Sequence, residues 1–364
     1  MKKFNRIFGT AATVAALLFS LTILSCSAAS DGPSVIAFPL PTTPTTPEQN
    51  NAQSTPVTLE TPLTLEAAEA GAVVTFVNKA AGSVTYKVKG GAAQTIASGA
   101  TGTITLSAIS DKVEFFGDNK AYATNNYSNY SNIACDKDCY VYGNIMSIIT
   151  SEGFENATAL EEGYTFTNFF ENNTHIKNKD GAPLLLPATT LANYCYYYMF
   201  IGCASLTAAP SLPANTLAKS CYSSMFFGCK SLKTAPSLPA TTLANYCYED
   251  MFRGCTSLKA APSLPATTLA DGCYHRMFTD CISLTAAPSL PATTLANYCY
   301  SSMFFGCTSL ASVTCLATDI SASDCTTDWL FSVAASGTFT KADGMTGWTT
   351  GENGIPSGWT VVEQ

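Results

Sequence analysis

Charge is scarce in this chain, and histidine scarcer still. Asp, Glu, Lys and Arg make up 12% of the 364 residues, and the histidines are two, His175 and His275. Neither stands in an H-E-x-x-H or Cys-His arrangement, and no Gly-rich phosphate loop or G-x-S-x-G elbow occurs. In the repeated centre the acids are Glu249, Asp250, Asp271 and Asp280, and the adjacent Glu249 and Asp250 read as a solvated helix face, not as a general acid and base. The expectation is a protein that is not an enzyme, with no cofactor and no metal. Basic residues are few as well: 18 Lys and Arg against 26 Asp and Glu leave a formal charge of −8. Nucleic acid is therefore excluded as a partner, because its binding needs cations that displace condensed counterions.

Long apolar runs are lacking except for one. Ala11 to Leu24 follows Lys2, Lys3 and Arg6 and ends in "ILSCS". It is shorter than the roughly 20 residues of a comfortable membrane span, so 1–25 reads as a secretory signal. Cys26 resembles the cysteine of a bacterial lipobox, which is diacylated and becomes the mature N-terminus; the alternative is an ordinary cleaved signal. The lipid reading implies an anchor at the bacterial outer membrane or cell surface. Residues 26–62, rich in Pro, Thr, Gln and Asn, bury too little apolar surface to order themselves and read as a disordered tether. At polyproline extension about 30 such residues reach on the order of 90 Å.

Residues 63–142 change pattern. "AVVTFV", "VTYKVKGGAAQTIA" and "GTITLSAISDKVEFFG" alternate around turn residues and predict antiparallel strands of a small β-sandwich-like domain. Here Cys135 and Cys139, in "CDKDC", read as a disulfide or as two thiols, since no second Cys or His pair stands nearby to complete a zinc set.

Cysteine, by contrast, is plentiful, and it is periodic. "LPATTLANYCY" runs from Leu186, again from Leu238 and again from Leu290, with near-copies between. Pro187, Pro213, Pro239, Pro265 and Pro291 are 26 apart. So are Cys195, Cys221, Cys247, Cys273, Cys299 and Cys325, and so are Cys203, Cys229, Cys255, Cys281 and Cys307. A constant period of this length predicts stacked units that bury their apolar sides against one another. Within a unit, Leu191, Cys195 and Met199 fall at helical spacing after Thr190, and Gly202 is placed to end the helix. Prolines 210 and 213 confine a strand to Thr207–Ala209.

The unit C-x-S-L-x-x-A-P-S-L-P-A-T-T-L-A-x-x-C-Y-x-x-M-F-x-G-C resembles the leucine-rich repeat of the BspA-like family of bacteroidal and treponemal surface proteins. The period of 26 and Met-Phe for the family's Ala-Phe depart from its pattern. The expected fold is an α/β leucine-rich repeat solenoid, with short strands and short helical segments, behind the β-rich domain. Residues 143–186 would form an N-terminal cap and degenerate first coil, 187–340 the repeats, and 341–364 a C-terminal cap. The resemblance implies a cell-surface adhesin-like protein that contacts protein or glycan on host matrix or neighbouring cells, its soluble part a monomer. A structural, envelope-organising lipoprotein that self-associates is the alternative.

The ends of the array bear on the cysteines. Counting 26 on from Cys307 gives Val333, and aligning "FTNFFENNTHI" with "YYYMFIGCASL" puts Asn173 at the Cys203 position. Neither residue makes a disulfide or holds a thiolate metal. The two columns are expected to be structural core thiols; disulfides, then metal, are the competing readings. For binding, Lys230, Lys233, Arg253 and Lys259 gather on two adjacent units of an acidic chain and are the expected site.

Overall fold

The computed structural model describes residues 57–124 and 128–364. The expected signal, Cys26 and all but the last residues of the tether lie outside the described residues.

The β-rich part holds β1 (Leu63–Ala67), β2 (Ala72–Val77), β3 (Val84–Val88), β4 (Gln94–Ile96), β5 (Thr101–Leu106), β6 (Lys112–Gly117), β7 (Asn132–Cys135) and β8 (Cys139–Asn144). Alternation works as expected in β2, where Ala72, Val74 and Phe76 are buried and their neighbours half-buried. The strands form two sheets. In one, β2 lies between β5 and β7; in the other the order is β8-β1-β6-β3-β4. β1 is buried at all five residues, with Leu65 opposite Val113 on one side and Val141 on the other. The sheets meet where the Phe76 ring lies 5.3 Å from that of Phe115.

β8 is the seam. One side pairs antiparallel with β1, and the other takes β9 (Ile176–Lys177) and β10 (Leu184–Leu185) in parallel. The larger sheet thus carries on past residue 142 into the segment that opens the repeats.

The repeats overturn the expected α/β leucine-rich repeat solenoid with its short helices. Among the described residues there is no α-helix; two 3-10 turns, Ile145–Ile148 and Phe154–Asn156, both precede the repeats. The strand expected at Thr207–Ala209 is reduced to a single bridge between Ala208 and Thr234. Between β10 and Ser312 the only strand is β11 (Ser289–Leu290).

In place of the helix stands a run of turns. Tyr194, Tyr198 and Gly202, every fourth residue, have φ of 60°, 56° and 71°, in the left-handed region that an α-helix cannot contain. The next unit repeats this at Ser220, Ser224 and Gly228, and the one after at Tyr246, Asp250 and Gly254. Backbone donors then alternate. The N–H groups of Tyr194, Tyr196, Tyr198, Phe200 and Gly202 donate to carbonyls of the next unit, at Lys219, Cys221, Ser223, Met225 and Phe227. Those of Cys195, Tyr197, Met199, Ile201 and Cys203 donate three residues back within their own turn. Every amide of the segment is thus paired, as buried backbone requires.

Spacing explains why a helix loses. Tyr196, Tyr222, Tyr248, Tyr274 and Tyr300 stack with centroids 5.7 to 6.1 Å apart, and Phe200, Phe226, Phe252, Phe278 and Phe304 with 5.4 to 5.8 Å. Packed helices keep their axes about 8 to 10 Å apart and could not follow at that pitch. The tyrosine column also runs on at both ends. Tyr122 stacks on Phe166 and Phe166 on Tyr196, while Tyr300 stacks on Trp329 and Trp329 on Trp348.

Regular strands return where proline ends. Thr314 and Ala317 stand where earlier units have Pro288 and Pro291. There β12 (Ser312–Cys315) forms between β11 and β13 (Gly337–Lys341), and β14 (Trp359–Glu363) completes a parallel sheet. Proline cannot donate to a ladder, so its loss is what admits the interior strand.

Candidate binding face

The four basic residues expected to bind lie on the surface of adjacent repeats. Lys230, Lys233 and Lys259 are exposed, with Lys233 and Lys259 at equivalent places on successive units. Lys230 borders an apolar hollow with Ile201 and Phe227, whereas Lys233 borders a different one with Pro236 and Pro262. Arg253 is engaged: its guanidinium lies 3.4 Å from Asp250 and over the Phe227 ring at 5.2 Å.

All fourteen cysteines of the described residues are buried, and none is in a disulfide. Their surroundings differ by column. Cys203, Cys229, Cys255, Cys281 and Cys307 each donate a thiol hydrogen bond to a phenylalanine carbonyl of the preceding unit, at 3.0 to 3.1 Å. Asn173, at the same place in the first unit, donates from its amide to the Ile133 carbonyl. In the other column Cys247 and Cys299 make long contacts of 4.0 Å, to the carbonyls of Cys273 and Cys325, and Cys325 at its end donates to the Ile320 carbonyl at 3.3 Å. Each thiol is held in its own column by the turns. Cys135 and Cys139 face each other across the β7–β8 turn, and the hydrogen bond between the two thiols raises the pKa of Cys135 and lowers that of Cys139.

A recess that those four basic residues do not line opens on the repeat surface. It measures about 480 Å³ and is bordered by Tyr194, Tyr197, Lys219, Ser220, Tyr246, Glu249, His275 and Tyr298. At one end Tyr194 is enclosed, stacked on Tyr164 at 4.8 Å with the Lys219 ammonium 5.9 Å from its ring. Further along, the Tyr246 ring lies across Gly272, where a Cβ would sit 2.3 Å from it. Tyr298 follows, its side chain beside the Asp324 carboxylate, which raises the phenol pKa.

Beside these rings runs a charged network. His275 Nδ1 is 3.1 Å from Glu249, and Arg276 Nε donates to His275 Nε2 at 3.0 Å. Nε2 therefore accepts, and Nδ1 carries the ring proton toward Glu249. Asp250 takes Arg253 at 3.4 Å and Arg276 at 3.9 Å, and burial raises its carboxyl pKa against the pull of both arginines. The solvated helix face expected for Glu249 and Asp250 is thus corrected. Asp250 sits at φ 52°, with its side chain 14% exposed.

The signal for this recess lies inside the repeated motif. The residue before each first-column cysteine reads Tyr194, Ser220, Tyr246, Gly272, Tyr298: a ring on every second unit and a small residue between. Three identical copies of "NYCY" made the column look like packing. Only lateral stacking shows that its rings face outward. Compared with protein-family models, curated proteins and solved structures, the chain finds no match.

Proposed function

We propose that this chain is a cell-surface binding protein, adhesin-like, held to the bacterial outer membrane by lipid on Cys26 and making contact through its repeats with protein or glycan on host matrix or neighbouring cells. It works by contact, not by turnover. The observation that carries the reading is the tyrosine-bordered recess, in which rings, a carboxylate, an imidazole and an ammonium converge on an outer face, as selective sites require. The repeat motif's resemblance to BspA-like surface proteins points the same way. One small recess gives weak single-copy affinity, and many anchored copies would supply avidity.

The full chain coupled to beads should attach to at least one member of a panel of matrix proteins, glycans and bacterial cells. Lys230, Lys233 and Lys259 replaced by Ser tests the basic residues separately from the recess. No attachment at any bead density would overturn the reading. The self-associating, envelope-organising alternative has an observation of its own. β14 is the outer strand of its sheet, with Val361 and Val362 45% and 44% exposed. Concentration-dependent sedimentation lost in Val361→Lys would favour it.

A further inference from the structure

The rings of the recess are not equivalent, and their spacing is specific. Tyr194 is closed off by Tyr164 and Lys219, which leaves Tyr246 and Tyr298 as the platforms. They stand two units apart, with Gly272 between. The stack advances by 5.8 and then 6.1 Å over those units, about 12 Å in all. The glycine lets Tyr246 lie flat along the stack, since any side chain there would meet the ring. Glu249, on the unit of Tyr246, offers carboxylate lone pairs beside the platforms and is held in place by His275 on the unit between.

A flat ring with a carboxylate at its side matches a pyranose, whose C–H face packs on an aromatic surface while its hydroxyl rim needs acceptors. The two-unit repeat narrows the class. In an extended β-1,4-linked chain successive sugars are turned over, so the same face returns with every second residue, at about the length of one disaccharide. A ring on every second unit meets that period. An α-1,4-linked chain curves and does not. The Glu249 carboxylate in the recess disfavours an acidic chain.

We propose that Tyr246 and Tyr298, with Glu249 and His275, form a binding site for a neutral, extended β-1,4-linked polysaccharide lying along the stack. This rests on the surface-binding reading and names its ligand class. The test is titration calorimetry of the full chain with cellohexaose and N-acetylchitohexaose, with cellobiose and maltohexaose as controls. At least one β-linked hexasaccharide should bind, about tenfold or more tighter than cellobiose and maltohexaose. Tyr246→Ala and Tyr298→Ala should each weaken binding about tenfold, as loss of a central aromatic contact does, with the melting temperature unchanged. Gly272→Ala should weaken it too, because its Cβ would push the Tyr246 ring aside. Equal binding of maltohexaose, no binding of either β-linked hexasaccharide, or an unaffected Tyr246→Ala would overturn the proposal. If the beads still attach to a matrix protein while every hexasaccharide is ignored, only this inference falls; if nothing attaches, the surface-binding reading falls with it.

Discussion

Each unit buries two thiols, and their bonding predicts different responses to the same substitution. Cys229 already donates to the Phe200 carbonyl at 3.1 Å, so a serine hydroxyl there inherits an acceptor. Cys247 has only a 4.0 Å contact, so a hydroxyl there is left nearly unpaired. Cys247→Ser should cost about 1 to 3 kcal/mol in denaturant unfolding, and Cys229→Ser distinctly less. Equal costs would mean that the carbonyl contacts contribute nothing. The tyrosine column offers the converse case. The hydroxyls of Tyr196 and Tyr222 are buried without a hydrogen-bond partner, and the first unit has Phe166 at this place. Tyr222→Phe should therefore stabilise the protein by about 1 kcal/mol, since it removes an unpaired polar atom and keeps the stacked ring.

Turns displaced helices because stacking changes what the backbone can bond to. Leu191, Cys195 and Met199 fit a helix when one unit is read alone. The buried pairs Cys195-Tyr196 and Met199-Phe200, followed by Cys203, instead recur every four residues, a period slightly too long for an α-helix. That excess was legible; the left-handed residue that produces it was not, because Tyr, Ser, Asp and Arg all occupy it in one unit or another. β12 carries its own test. Thr314 stands where earlier units have proline, inside a sheet with partners on both sides. Thr314→Pro should destabilise by about 1 to 3 kcal/mol through a lost ladder bond, and amide exchange in Ser312–Cys315 and Gly337–Lys341 should quicken. Unchanged exchange in both strands would show that the missing proline is not what permits the sheet.

Across the molecule, the buried thiols make stability depend on alkali. Desolvation pushes the pKa of Cys229, Cys247, Cys299, Cys307 and Cys315 from 9.0 up to about 12. In the unfolded chain these thiols ionise near 9, while the folded chain keeps their protons. Stability is therefore full below pH 9 and falls as the pH rises toward 12, at about 1.4 kcal/mol per pH unit for each thiol. In the presence of reductant, the melting temperature should hold to about pH 9 and drop steeply above it. A flat profile to pH 11 would mean that the columns are not buried thiols.

The period of 26, both cysteine columns, the strands of the β-rich part and the equivalence of Asn173 with Cys203 were determined by the sequence, because each is a matter of which residue recurs where along one chain. Whether a unit coils as helix or as turns was decided only in the tertiary structure. The choice depends on carbonyls 25 residues away, brought to hydrogen-bonding distance by a stack advancing about 6 Å per unit. The same holds for the recess. Tyr246, Gly272 and Tyr298 are far apart in the chain and unremarkable singly, and they become one surface only when the units lie side by side.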